Sequence, residues 1–289
     1  MTGMAGAWLF TSATTKNESS MIIVVWTDFH IKQPLETFKN MILNSKRIME
    51  PEAMESIEEV AAYDKLTLKY LTILHNGFIE TVINASPDHG SFLEVGCGTG
   101  RISIGVAKHT ENISITGIDL SDNMLKVAKN NAKAEKVDEK IQFLRTNGNN
   151  IPFKNNSFDA VFCHNMLHHI SNPLPVLNEM ARVVTKDGAF IIRDLIRKSR
   201  LFAWLHVIFF GLTYNRLMKE EYKNSILAAF SKKEWGEILK NINMDNLFLT
   251  SQFITHQGIE RPAADKRDSI INIPLSSFIK KILKNKYVS

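Results

Sequence analysis

Three glycines at alternate positions, Gly96, Gly98 and Gly100, interrupt the apolar run Phe92-Leu93-Glu94-Val95 directly ahead of a helical segment, Arg101 to Lys108. Glycine reaches positive φ without strain and lets main chain pass close to a ligand. A helix N-terminus immediately behind it offers free N–H groups and a positive dipole end. The stretch therefore reads as a strand-turn-helix corner that receives a nucleotide-like ligand, with a purely structural connection as the alternative. The dinucleotide fingerprint G-x-G-x-x-G requires a third glycine where this chain carries Arg101, so the spacing counts against NAD or FAD. Glu94, two residues before the first glycine, is read as pointing into the turn, where it repels a pyrophosphate and attracts an ammonium or a sulfonium.

Three further blocks follow with the same logic. Ser114 to Leu120 is a β-branched strand whose end carries Asp119, about 20 residues beyond the turn. A carboxylate there can accept hydrogen bonds from both ribose hydroxyls; an ordinary helix-start role is the alternative. Ser121 reads as an N-cap, with Met124, Leu125 and Ala128 on one helical face. Ile141 to Phe153 holds Asn147 and Gly148 in a turn-rich stretch, where Asn147 reads equally as a ligand group or a turn residue. Ser157 to His169 is a buried strand with its polar residues, His164, Asn165, His168 and His169, at the carboxyl end, the edge at which open α/β sheets bind ligands. No metal is expected: adjacent His168 and His169 are read as pointing in different directions, with no third ligand at a sensible spacing. Repeated strand-helix alternation from Phe92 to Leu195 argues for a doubly wound parallel sheet.

The blocks resemble the class I S-adenosylmethionine-dependent methyltransferases over roughly residues 50 to 262. The resemblance rests on an acidic residue followed by G-x-G-x-G, on a segment similar to G-D-A-x-x-L-P-F, and on S-F-D-x-V followed by L-H-H. It implies a Rossmann-like seven-stranded sheet, mostly parallel with an antiparallel last strand, preceded by N-terminal helices and carrying a helical cap insertion. It implies S-adenosyl-L-methionine as cofactor and S-adenosyl-L-homocysteine as product. The cofactor-binding residues it implies are Tyr63, Glu94, Gly96, Cys97, Gly98, Gly100, Asp119, Leu120, Met124, Asn147, Gly148, His164 and Asn165. Asn147 departs from the family's aspartate, although an amide can still accept from the adenine amine and can donate to a ring nitrogen. His168, His169 and Asp194 are the catalytic candidates. The acceptor it implies is a small molecule, nearest the group that includes the quinone-biosynthesis members, and the aromatic and aliphatic composition of Leu201 to Tyr222 makes an apolar or aromatic one the expectation. The alternatives are an RNA or protein methyltransferase on the same fold and a noncatalytic binding protein. The chain lacks an N/D-P-P-Y/F motif and a Pro-Cys nucleophile, and its inserted segment is apolar rather than basic, so no nucleic-acid partner is expected.

A chain of 289 residues with 44% hydrophobic content can bury one substantial core. The expected division is an N-terminal extension, 1–49, a methyltransferase domain, 50–262, with a cap insertion at about 197–230, and a basic tail, 263–289. Residues 1–20 are weakly patterned and expected to be poorly ordered, and a true start at Met21 or Met41 stays open. Met21 to Trp26 is apolar but far too short to span a bilayer and lacks a secretion signal's basic start. Helices are expected over Met54–Ala62, Lys65–Ile83, Pro173–Val184 and Ser231–Lys240, with a turn at Lys186-Asp187-Gly188 and a strand over Ala189–Ile192. Asn246 to Arg261 has strand character. Leu201 to Tyr222, rich in aromatic residues, is expected to fold as a cap, with core packing, a membrane surface and a homodimer interface also open. Ile279 to Lys286 reads as a small basic amphipathic helix. Cys97 and Cys163 both lie within the presumed core, which points to a reducing cytosol rather than a disulfide. The net charge of +5 permits an anionic partner without requiring one.

Overall fold

The computed structural model describes residues 46–50, 56–211, 214, 216–252 and 255–267. The expectations for residues 1–45, for Met54 and for the basic tail beyond 267 lie outside the described residues, as do those that depend on the side chain of Phe210. Seven strands form one sheet in the order β3-β2-β1-β4-β5-β7-β6. They are β1 (His89–Val95), β2 (Asn112–Asp119), β3 (Ile141–Arg145), β4 (Phe158–His164), β5 (Val184–Leu195), β6 (Phe248–Gln252) and β7 (His256–Arg261). The first five run parallel, and β7 is antiparallel to both β5 and β6. The order reverses between β1 and β4, which creates the crevice where ligands of such sheets sit.

Side chains on a strand alternate between its two faces, and the core follows that parity. Phe92, Ala160, Phe162, Ala189 and Ile191 point to one face and pack against α2 (Thr72–Ala85), α3 (Arg101–Lys108) and α4 (Asp122–Ala134). Leu93, Val95, Val161, Cys163, Phe190 and Ile192 point to the other, against α5 (Leu174–Val183) and α8 (Lys232–Lys240). Central strands apolar on both faces are what a doubly covered parallel sheet demands. Ser121 accepts from Met124 N at the start of α4, and Ser231 with Glu234 forms a capping box at the start of α8. Both are starts the sequence marks.

Two local expectations are corrected. The N-terminal helices are α1 (Ile57–Tyr70) and α2, so the break falls at Leu71 and not near Tyr63. The start of α1 is set by Ser56 and Glu59, a capping box. Lys186-Asp187-Gly188 is not a separate turn but part of β5. Its register against β4 jumps between Phe158–Val184 and Ala160–Ala189, and Gly188 lies where a Cβ would stand 2.7 Å from Asp159 O. Asn246 to Arg261 divides into a hairpin of two strands. The insertion between β5 and β6 is helical, with α6 (Arg200–Phe210) and α7 (Arg216–Ala228) packed through Ala203, Ile226 and Leu227, followed by α8. Trp204, 55% exposed, stands outside that packing. Among the described residues no helix is long and apolar enough to cross a membrane.

Arg101, the residue that breaks the dinucleotide spacing, has a structural task. Its Nε donates to Asp64 Oδ1 at 2.8 Å and its Nη2 donates to Oδ2, clamping α1 onto the start of α3. Asn131 joins the clamp through Asp64 Oδ1 and Thr99 O. The pair is nearly buried, and removing one partner strands the other charge. Arg101→Met is therefore expected to cost about 2–3 kcal/mol in urea unfolding, and the double variant Arg101→Met/Asp64→Leu to regain most of it. Equal destabilisation of the single and double variants would overturn this account.

Candidate functional site

The glycine corner between β1 and α3 is built as its spacing suggests. Gly96, Gly98 and Gly100 have φ of 72°, 50° and 77°, values that favour glycine. A Cβ on Gly96 would strike Met166 at 2.4 Å, whereas one on Gly98 would meet nothing within 4 Å. The turn is thus packed from below and open at its middle glycine. Asp119, at the end of β2, accepts from Gly98 N and from Ser121 N, each at 2.9 Å, which binds the two loops together. Burial raises its pKa, opposed by these backbone donors. Neither oxygen uses more than one of its lone pairs in these two bonds, so acceptor capacity remains. Leu120 beside it is 57% exposed, an apolar surface at a polar edge.

Glu94 is placed differently from its expected direction. Strand parity sends it to the same face as Phe92, toward α3, where its carboxylate accepts from the backbone N and hydroxyl of Ser103 in the first helical turn. An acceptor at a helix N-terminus satisfies donors that the helix itself leaves free. The carboxyl is buried at 2% exposure, and that burial pushes its pKa up to about 8. Cys97 is buried in the same corner, and burial raises its thiol well above the ordinary value.

Around the crevice the remaining residues fall as follows. Asn147 is exposed, and its Oδ1 already accepts from Asn149 N at 2.9 Å, so it both makes a turn and keeps its amide hydrogens available. Gly148 lies tight against Val95 and Val176. Met124 is half-buried on α4. Tyr63 on α1 has its phenol raised by burial, with the carboxylates of Asp64, Asp119 and Glu50 adding to the shift. Tyr70, on the same helix, meets Tyr214 of the cap at 4.8 Å between ring centroids. His164 ends β4 with its ring 4.7 Å from Phe78, and its Nε2 is buried without a partner. Asn165 follows at a φ of 49°, and its Oδ1 is also buried and unpartnered. Orphaned buried polar atoms are rare and mark places where a ligand or water belongs.

The second cluster lies at the ends of β4 and β5. Asp194 is fully buried, and each oxygen accepts twice: Oδ2 from Leu167 N at 2.7 Å and His168 N at 3.2 Å, Oδ1 from His168 Nδ1 at 2.6 Å and Leu195 N at 2.7 Å. Burial alone would raise its pKa, but the charge and hydrogen bond of His168 outweigh it and hold the group below its ordinary value. The expectation that adjacent His168 and His169 diverge is corrected. They sit in a tight 3-10 turn, Leu167–His169, with ring centroids 4.1 Å apart and planes at 38°. Glu50, unmarked by any motif, joins them: its Oε2 lies 3.5 Å from His169 Nδ1 and 4.0 Å from His168 Nε2. Ser225 of α7 donates to both Glu50 oxygens at 3.2 Å. Arg47 fastens the segment by donating to the carbonyls of His168, Ile170, Ser171 and Ala228 while stacking 3.7 Å over Phe230.

Comparison with known proteins bears on the fold that carries this site. Residues 93–192 match the family described as "Methyltransferase domain". A ubiquinone biosynthesis O-methyltransferase of Dechloromonas aromatica is 40% identical over 115 residues, 38% of this chain and 47% of that protein. A demethylmenaquinone methyltransferase of Porphyromonas gingivalis is 32% identical over 106 residues, 36% of this chain and 43% of the relative. The matched region thus spans less than half the length of these curated relatives. In fold the chain is similar to a SAM dependent methyltransferase from Aquifex aeolicus, with a TM-score of 0.53 at 18% identity over 71% of this chain and 97% of that one.

Glu94 generates a pH test. The folded carboxyl keeps its proton to about pH 8, against an ordinary value of 4.5. The native state then binds more protons than the unfolded one, so this contribution is full below 4.5 and is lost as pH rises through 8. Buried His75, lowered from 6.5 to about 4 by burial, works in the opposite sense, since there the unfolded state binds more protons. The interval from 6.5 to 8 isolates Glu94 from this opposing term. Glu94→Gln is expected to flatten the fall in urea-unfolding free energy across it, and an unchanged slope would show that Glu94 is ionised at neutral pH.

Proposed function

We propose that this chain, which carries a class I S-adenosylmethionine-dependent methyltransferase domain, transfers a methyl group to a small apolar or aromatic acceptor and releases S-adenosylhomocysteine. The domain on this reading runs over 50–262 with its cap at 197–230. The cofactor supplies an activated methyl on a sulfonium. The observation that carries the cofactor's fit is the buried, unpartnered Asn165 Oδ1 beside a glycine corner open at Gly98, an acceptor suited to the cofactor's ammonium. Asp119 takes the ribose hydroxyls with its remaining lone pairs, Leu120 supports the purine, and the Asn147 amide meets the adenine edge. Gly96, Gly100, Cys97, Gly148, Met124, His164 and Tyr63 shape the crevice. Glu94 serves it from behind by fixing the start of α3 through Ser103.

For the acceptor, His169 is the more open member of the histidine pair, at 35% side-chain exposure against 3% for His168. We assign His169 and His168 to the acceptor's reacting group and Asp194 to positioning, because all its hydrogen bonds are made within the protein. Holding two reactants in attack geometry supplies much of the rate in such a transfer. The apolar cap favours a small apolar acceptor over a polyanion, and two buried free thiols, Cys97 and Cys163, favour a reducing compartment such as the cytosol.

The test is calorimetric binding of S-adenosylhomocysteine, followed by transfer of labelled methyl to a panel of hydroxylated aromatic compounds with RNA and protein as controls. Asp119→Ala is expected to weaken cofactor binding by about 10- to 100-fold, because charged hydrogen bonds are lost, and Asn147→Ala by only several-fold. Equal losses would show that the adenosine end is misassigned. Absence of binding in the wild-type chain would end the methyltransferase reading.

A further inference from the structure

Glu50 Oε2, His168 Nε2 and His169 Nδ1 converge so that all three lie within 4.8 Å of one another. The two histidines reach one point although adjacent in sequence because they offer different nitrogens, one at the far end of its ring and one near its backbone. His168 Nδ1 faces the Asp194 carboxylate at 2.6 Å, which gives that nitrogen the proton in the neutral ring, the form that ligates a metal, and leaves the Nε2 lone pair of that form toward Glu50. His169 Nδ1 is buried with no hydrogen-bond partner, and Glu50 Oε2, 3.5 Å away, is too far to serve as one. Three electron-pair donors thus surround one spot.

We propose that Glu50, His168 and His169 bind one divalent cation of borderline softness, Zn2+ or an ion that replaces it such as Co2+. Two imidazoles and one carboxylate are a recurrent catalytic donor set, closing three positions and leaving the rest for an exogenous oxygen. With bonds of about 2.1 Å to each donor, separations of roughly 3.0–3.4 Å are required. The Glu50–His169 distance of 3.5 Å is nearly there; closing Glu50–His168 from 4.0 Å takes a small turn of the Glu50 carboxylate, and bringing the two ring nitrogens together takes a rotation of half-exposed His169. The outer shell is already in place. Asp194 receives the second nitrogen of His168, and Ser225 donates to Glu50, the pattern that orients metal-bound ligands. Glu50 and Asp194 supply negative charge. The Arg47 guanidinium, on the same turn, is directed onto backbone carbonyls and the Phe230 ring.

The site stands on its geometry alone; its consequence for the acceptor rests on the methyltransferase reading. The open position selects an acceptor with a hydroxyl oxygen, which binds the cation as its proton passes to water and is held as the nucleophile.

The test uses the full chain, stripped with a chelator and titrated with Co2+, following visible ligand-field absorption and stoichiometry. Saturation at one Co2+ per chain, displacement by Zn2+, and at least tenfold weaker binding in both Glu50→Gln and His169→Ala are expected. Asp194→Asn should weaken binding about 10- to 100-fold, as loss of an outer-shell partner does. S-adenosylhomocysteine binding by Glu50→Gln and His169→Ala verifies that they fold. Absence of saturable uptake by the wild-type chain, or undiminished uptake by Glu50→Gln/His169→Ala, would overturn the proposal and leave the histidines as a metal-free pair. Failure of the wild-type chain to bind S-adenosylhomocysteine would instead remove the methyltransferase reading and leave the Co2+ result to decide the site.

Discussion

A fully buried carboxylate is stable only where donors replace the water it has lost, and the end of the central sheet is organised around one. Asp194 takes four hydrogen bonds from Leu167, His168 and Leu195. Unmatched, such a charge would cost several kcal/mol. Matched, it dictates where the turn after β4 must lie, which nitrogen of His168 carries the proton, and how both imidazoles are presented. Arg47 closes the same turn from the other side through its carbonyls. Donors from one strand's neighbours and a guanidinium from a distant segment thus hold the short turn on which the candidate chemistry depends.

Strand parity distributes the other polar groups. Counting from Phe92, Phe162 and Ile191, the odd and even positions lead to opposite faces. Glu94 is thereby delivered to α3, His164 and Arg193 to the Phe78 side, and Asp194 to the side of α5 and the 3-10 turn. Each polar residue lies at or near a strand's carboxyl end, where the sheet core gives way to loops. Some orphaned atoms lie there as well, with His164 Nε2, Asn165 Oδ1, His169 Nδ1 and His256 Nε2 buried without partners. Each such atom costs about 1–3 kcal/mol. Others lie away from the crevice, at Ser86, Trp235 and Arg261, so it is position beside the glycine corner and the 3-10 turn that makes Asn165 and His169 candidates for contact with a ligand.

Helices outside the sheet frame that edge through specific contacts. The Arg101–Asp64 clamp sets α1 beside the glycine corner, and Tyr70 meets Tyr214 where the same helix reaches the cap. Ser225 of the cap donates to Glu50. The cap's role is thus polar at this point as well as apolar: it orients a carboxylate that strand and helix patterns leave unassigned.

The sequence by itself determined the doubly wound sheet, the glycine corner, Asp119 at the end of β2, the capped starts of α4 and α8 and the insertion after β5. These are local matters of strand periodicity, backbone freedom at glycine and side chains that satisfy helix ends, and they are written in neighbouring residues. The direction of Glu94 was legible in principle, since parity from Phe92 points it at the helix. Only the tertiary structure decided what depends on segments far apart in the chain. Arg101 looked like a missing glycine until Asp64 was seen to receive it. His168 and His169 looked divergent until a 3-10 turn, held by Asp194, brought their rings together. Glu50 carried no signal, because nothing near it in sequence differs from an ordinary solvated glutamate, and its partners arrive from β4's loop and α7 only after the sheet and cap have packed.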